Sequence, residues 1–270
     1  MKPVAFDYAR PAGIDEAVAL LAANPDAKVL AGGQTLGPML NLRLAQPALL
    51  IDITRIAELA AVREEANAIV LGATVTHASV EDGRVPDPTH GFMPRVARGI
   101  AYRAVRSRGT IGGSLAHADP AADWLSCLTA LGAEVLVHGA QGARSVALAG
   151  FMRGAMETEL AHDELVVGIR IPKFSKAARF GYHKICRKSG EFAEAIGVVV
   201  DDPERAFFRA VVGATTGPPL IPEMSVADFK AISVGNPEAI LKAAHYTGDA
   251  YELKIHAVAL KRAYQEAYAT

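Results

Sequence analysis

The order of patterns along the chain predicts a mixed fold of helices and strands arranged in two or three lobes. Three observations carry that expectation. A strand–helix–strand succession fills the first 55 residues, the unit of a small α/β lobe. A strand over 165–171 ends at Pro172, and past a boundary near 172–178 the chain reads as strands first and helices last. At 270 residues there is enough chain to bury more than one core.

Residues 3–10 read as a short extended segment. Gly13-Ile14-Asp15 opens a helix over 15–23, because Ala17, Val18, Leu20 and Leu21 fall on one helical face. Ala27–Ala31 is a buried strand, 38–44 a helix stopped before Pro47, and Ala48–Ile53 a second apolar strand. Arg55–Leu59 makes a turn of helix, and Ala68–Leu71 a strand running into Gly72-Ala73-Thr74. Thr76 caps a helix start over 76–80, which leaves His77 as a capping or surface histidine. The Asp-, Pro- and Gly-rich stretch 82–94 is expected to be loop, and Arg95–Ala104 a short helix. Ala121–Leu131 reads as helix, Ala133–His138 as strand, Gly139–Ala143 as a hairpin turn and Ser145–Leu148 as the return strand. Ala149–Met152 begins a further helical turn. Past the boundary come a strand over 179–186, a loop over 187–190, a segment 191–200 entering a strand, and a strand over 207–213. A Thr-Thr-Gly-Pro-Pro loop leads into helices, the last two (236–245 and 253–268) Ala-rich and amphipathic.

Two glycine-rich stretches stand out. In 109–124, Gly112 and Gly113 sit between a basic approach (Arg103, Arg106, Arg108) and an apolar helical run, and Asp119-Pro120 reads as an N-cap with proline at the first helical position. Backbone N–H groups gathered there would suit an anionic group such as a phosphate. Alone, such a pair is more often a tight turn ahead of a helix. Residues 28–37, Lys-Val-Leu-Ala-Gly-Gly-Gln-Thr-Leu-Gly, are built alike, and two such turns could close on one ligand from both sides. Neither has the Gly-x-Gly-x-x-Gly spacing of a dinucleotide fingerprint, nor the Gly-Lys-Ser/Thr of a P-loop.

Composition narrows the function. A net charge of −1 lacks the basic surplus of a nucleic-acid binder, and no apolar run reaches the roughly 20 residues of a membrane span. The N-terminus shows no apolar signal region, so a cytoplasmic location is expected. Two cysteines, Cys127 and Cys186, cannot build an iron–sulfur site, and Cys127 reads as a small core residue. His117, Asp119 and Asp123 resemble metal ligands in type, with Asp119 and Asp123 at i, i+4, yet Asp119 is better used as a cap and no further ligands cluster with them. No catalytic elbow, zinc pair or Cys–His constellation is present. What remains is a cofactor cradle without an acid–base site, as in a redox carrier.

Ala31-Gly32-Gly33-Gln34-Thr35-Leu36, with Arg43-Leu44 and Pro47 after it, and Thr110 to Asp123 resemble the paired flavin motifs of molybdenum hydroxylases. The closer likeness is to the FAD-binding medium subunit of the three-subunit enzymes related to carbon monoxide dehydrogenase and xanthine dehydrogenase. It runs on through Val105–Gly109, the strand before Pro172, and Tyr182 to Ala195. The resemblance implies an α+β chain: a two-lobed FAD-binding domain of the vanillyl-alcohol-oxidase (PCMH) type over 1–172, with lobes of about 1–55 and 56–172, then a C-terminal flavoprotein domain over 178–270.

By motif position it places Ala31, Gly32, Gly33, Gln34, Thr35 and Leu36 on one side of the FAD pyrophosphate, and Thr110, Gly113, Ser114, Ala116 and His117 on the other. Asp123 would hydrogen-bond the cofactor, and Val166 and Lys184 would lie near its ring, with His183 the alternative for the last place. No catalytic residue and no metal ligand is expected on this chain. Implied partners are a large molybdenum-pterin subunit and a small subunit with two [2Fe–2S] clusters, assembled as a dimer of heterotrimers. Electrons would pass from those clusters to FAD and on to an external acceptor. A stand-alone FAD-dependent oxidoreductase on the same fold is the alternative. Departures from the family pattern are Trp124-Leu125 after Asp123, the lack of a strict Arg-Arg pair in Arg187–Ala193, and Tyr251–His256.

Overall fold

The computed structural model describes residues 1–269, apart from the side chains of residues 232–235. It is an α+β fold. The chain opens with β1 (Asp7–Ala9), α1 (Ile14–Ala23), β2 (Lys28–Leu30), α2 (Leu36–Asn41) and β3 (Leu49–Asp52). β3 lies between β1 and β2 and runs parallel to both. Ala17, Val18 and Leu21 of α1 cover that sheet, packing with Ile51 and Ile53 in a first core. α2 ends earlier than its apolar pattern predicts, because Arg43 adopts a left-handed φ of 57° and turns the chain.

Next come α3 (Ala57–Ala60), β4 (Val62–Glu64), β5 (Ala68–Gly72), α4 (His77–Glu81), α5 (Phe92–Arg98), α6 (Arg103–Arg106), α7 (Ile111–His117) and α8 (Asp123–Ala130). They are followed by β6 (Glu134–Gly139), β7 (Gly142–Ala147), the small hairpin β8 (Met152–Gly154) and β9 (Glu157–Thr158), and β10 (Leu165–Pro172). The antiparallel sheet β4-β5-β10-β6-β7 is centred on β10. A bulge between Val166 and Gly168 shifts the strand's phase. Leu165 and Val167 therefore pack on the first core, while Val166, Ile169 and Ile171 all reach the main core.

Two expectations are corrected in this region. The helix expected over 95–104 is two helices: α5 begins at Phe92 so that Phe92, Met93, Val96 and Ala97 are buried, and the chain breaks where Ala101 takes φ 43°. Nor does a helix start at Asp119. Ala118 turns the chain with φ 53° after α7, Asp119 Oδ1 accepts from Ala121 N at 2.9 Å, and α8 begins at Asp123.

The chain ends with β11 (Arg179–Ile185), β12 (Ala195–Asp202), β13 (Phe207–Gly213), α9 (Val226–Gly235), α10 (Pro237–Ala243) and α11 (Ala250–Ala267). β12 is central in this antiparallel sheet and buried throughout. One of its faces contributes Ile196, Val198 and Val200 to the core that holds Leu71, Ile111, Trp124 and Ile169. α8, buried at every position, packs against both β12 and β13. α11, opened by an Asp249/Glu252 capping box, crosses β11 and β12 on the other face.

That crossing depends on missing side chains. A Cβ on Gly197 would lie 2.5 Å from Ala259 O, and one on Gly181 would overlap the Ala263 carbonyl. Gly197→Ala is expected to cost about 3 kcal/mol by forcing α11 off the sheet. Urea unfolding checks it, and an unchanged midpoint would refute the close crossing.

Candidate functional site

The structure brings the two glycine stretches together. A Cβ on Gly32 would lie 2.9 Å from Gly109 Cα and closer still to the Arg108 carbonyl, so the two backbones touch. Gly113 faces Ala31: a Cβ there would be 3.8 Å from Ala31 Cβ and 2.8 Å from Thr110 Oγ1. Gly112 is pressed on Ala73, whose N donates to Val167 O at 3.2 Å, and this ties the second stretch to the strand carrying Val166.

Their donors are divided differently from the sequence expectation. Gly112 and Gly113 lie inside the first turn of α7, capped by Thr110. Ile111 N donates to Val75 O (3.0 Å), Gly112 N to Ala73 O (3.0 Å), Gly113 N to Thr110 Oγ1 (3.1 Å) and Ser114 N to Thr110 O (3.0 Å). Every amide of that turn is already used. In the first stretch the amides of Gly32, Gly33, Gln34, Thr35 and Leu36 donate to no described residue, and Gln34 and Thr35 are exposed. Gly33 supplies the positive φ of 68° that turns this row.

The second stretch contributes side chains instead. Thr110 Oγ1 accepts from Gly113 N and keeps its O–H to donate. Ser114 and His117 sit three residues apart on one face of α7, with Ala116 exposed beside them. A row of free amides opposite hydroxyls is the donor set that a diphosphate needs, without a lysine.

Asp123, Lys184 and Tyr182 form a second group. Asp123 and Lys184 side chains are 5% and 9% exposed and pair at 3.0 Å. Lys184 Nζ also donates to Gly99 O at 3.2 Å, and the Tyr182 hydroxyl donates to Asp123 Oδ1. Burial and then the charge of Asp123 push the Tyr182 phenol well above its ordinary range, so it acts as a donor. Burial likewise raises the Cys127 thiol, a core residue as expected. His183 points the other way, to Glu266 (3.2 Å) and Arg262 (3.1 Å) on α11. Alternation along β11 puts Tyr182 and Lys184 on one face and His183 on the opposite one. Tyr182 was legible as the partner two residues before Lys184, but the sequence reading gave it no role.

His77 is a correction. It is neither a surface residue nor an isolated one: it is 6% exposed, and its Nδ1 accepts from Trp124 Nε1 at 3.0 Å. An indole N–H inside the core needs an acceptor, and no local signal links positions so far apart. Burial, then the nearby Arg106 charge, lowers the imidazole to about 4.

A cavity of about 440 Å³ lined by Glu65, Glu134, Arg170 and Arg205 lies elsewhere. It meets β10 at Arg170 and Pro172, the nearer about 13 Å along the strand from Val166. Its Arg170 is neutralised by Glu65 (3.0 Å) and Glu134 (2.7 Å). Asp119 and Asp123 share no helix, and among the described residues no group of three His, Cys, Asp or Glu is arranged for a metal ion.

Gly113→Val and Gly32→Ala are each expected to abolish retention of FAD while far-UV circular dichroism stays native, and full occupancy in both would show that these loops do not hold a cofactor. His77, at about 4 against 6.5 when unfolded, binds fewer protons folded than unfolded between those values. Its contribution is therefore complete above about pH 6.5 and lost as pH falls, by about 2 kcal/mol at pH 5. His77→Gln keeps an acceptor for Trp124 and removes the titration. Its urea midpoint should fall less than wild type between pH 7 and pH 5, and equal losses would refute the assignment.

Residues 4–174 match the family of the FAD binding domain in molybdopterin dehydrogenase. The chain is 40% identical over 201 residues to the carbon monoxide dehydrogenase medium chain of Hydrogenophaga pseudoflava, covering 74% of this chain and 70% of that one. It is 38% identical over 202 residues to caffeine dehydrogenase subunit beta of Pseudomonas sp. strain CBB1, covering 74% and 68%. A solved structure of carbon monoxide dehydrogenase from Hydrogenophaga pseudoflava superposes with a TM-score of 0.89 at 34% identity, over 100% of this chain and 99% of its counterpart. With the touching glycine stretches and the matched fold, the chain belongs to the family of FAD-binding medium subunits of molybdenum hydroxylase-type dehydrogenases.

Proposed function

We propose that this chain is the flavin-bearing electron-transfer subunit of a three-subunit molybdenum hydroxylase. In this reading it takes electrons from the [2Fe–2S] clusters of a small subunit and releases them to an external acceptor. A large molybdenum-pterin subunit would oxidise the substrate, and two heterotrimers would pair. FAD, when bound, supplies the ability to accept electrons singly and pass them on. The observation that carries the proposal is the row of unpaired amides at Gly32–Leu36 facing a helix that presents Thr110 and Ser114.

In this reading Ala31, Gly32, Gly33, Gln34, Thr35 and Leu36 bind the diphosphate from one lobe. Thr110, Gly113, Ser114, Ala116 and His117 close on it from the other. Asp123 has an oxygen, Oδ2, engaged only by Lys184 at 3.3 Å, and so can accept from a neutral N–H or O–H of the cofactor. Val166 and Lys184 lie toward the ring, Val166 as an apolar wall and Lys184 as the neighbouring positive charge. His183, held by α11, is not the residue at that place. We place the FAD-binding domain at 1–172 and the C-terminal domain at 178–270. The segment between them is pinned where Ser175 N and Oγ donate to Asp202, at 2.9 and 2.6 Å.

Among relatives, the nicotine 6-hydroxylase medium subunit of Paenarthrobacter nicotinovorans is 36% identical over 220 residues, and its name likewise marks one part of a larger assembly. The test is the visible spectrum of the purified chain together with recovery of its partners. Near-equimolar FAD, and co-purification with an iron–sulfur and a molybdenum-pterin subunit that reduce it on adding substrate, are expected. A colourless chain that takes up no added FAD overturns the proposal.

A further inference from the structure

We propose that Tyr182 is a positioning residue for the flavin: its hydroxyl, donating to Asp123 Oδ1, sets how the Asp123–Lys184 ion pair is presented to the ring. This rests on the reading above, that Asp123 and Lys184 face the cofactor. The three side chains come from two parts of the fold, Asp123 from the first position of α8 and the other two from adjacent same-face positions of β11. Asp123 Oδ1 accepts from both Tyr182 and Lys184, whereas Oδ2 meets only Lys184 at 3.3 Å. The Tyr182 donor therefore draws the carboxylate by one oxygen and leaves the other less engaged.

The Lys184 ammonium is held by two acceptors, Asp123 and the Gly99 carbonyl. Tyr182 competes with it for Asp123. With that competition, the ammonium's charge is incompletely neutralised; without it, the carboxylate closes on the ammonium. In a site this buried the difference is felt at short range. A reduced flavin carries more negative charge than an oxidised one, so a less neutralised Lys184 favours reduction. Tyr182 thereby tunes the cofactor without touching it.

The experiment is the midpoint potential and visible spectrum of FAD bound to the full chain, in three forms beside wild type. Tyr182→Phe is expected to keep FAD, to shift the flavin absorption bands, and to lower the equilibrium constant for reduction about fivefold, a fraction of the worth of a hydrogen bond to a charged group. Replacement of Tyr182 by 3,5-difluorotyrosine strengthens the donor while keeping every contact, and is expected to shift the potential the opposite way. This second form also decides the matter if Tyr182→Phe fails to fold. Asp123→Asn is expected to alter both potential and spectrum. Wild-type values for Tyr182→Phe, or for the difluorotyrosine form, beside an altered Asp123→Asn overturn the role of Tyr182 alone. Wild-type values for Asp123→Asn overturn the underlying placement and this inference with it.

Discussion

The contact between Gly32 and the Arg108–Gly109 backbone is the constraint on which the site depends. A side chain at position 32 would hold these two backbones apart, and the amide row would no longer face α7. The contact continues inward through Gly112 on Ala73 and from Ala73 to Val167, so the site has a stiff floor made of sheet. One wall has spent its amides on that floor and offers side chains. The other keeps its amides free. Such a division suits a ligand with one strongly charged part, because the rigid wall fixes the place and the open wall supplies the charge complement.

A second ordering principle is the burial of α8. It joins the central sheet to the C-terminal sheet, and its first residue is a carboxylate in an ion pair of low exposure. Desolvating such a pair costs stability unless its remaining hydrogen-bonding capacity is met. Tyr182 and the Gly99 carbonyl meet it. This polar group lies beside an apolar part of the seam, where Trp124, Leu128, Ile196 and Val198 share one core. His77 completes the apolar part by accepting the single indole proton.

Much of this was legible because the signals are local. The apolar runs of β5, β10 and β12 and the helical spacing of Ala17, Val18 and Leu21 in α1 are visible in any window of ten residues, and the two like-built glycine stretches, which the structure brings together, stand out in the sequence. β4 was hidden because Arg63 and Glu64 interrupt its apolar pattern. The start of α5 was hidden behind a stretch rich in Asp, Pro and Gly. Asp119-Pro120 is a strong local helix signal that lost to a tertiary fact: the chain reverses at Ala118, and Pro120 O accepts from Ala214 N at 3.1 Å. Which amides would be free was only partly legible: Thr110 is a local acceptor for Gly113 and Ser114, but the acceptors for Ile111 and Gly112 are Val75 and Ala73, more than thirty residues upstream.

β11 is a short strand with two duties. Tyr182 and Lys184 look toward the centre of the molecule, while His183 joins Glu266, which also holds Arg95 at 3.0 Å. Because alternation along a strand has a period of two, one inserted or deleted residue inside 179–185 would exchange the faces. An imidazole would then stand where the ammonium does, and the clasp around Glu266 would open. Length variation in descendants of this gene should therefore gather outside the strand, in the loop at 187–193 between β11 and β12.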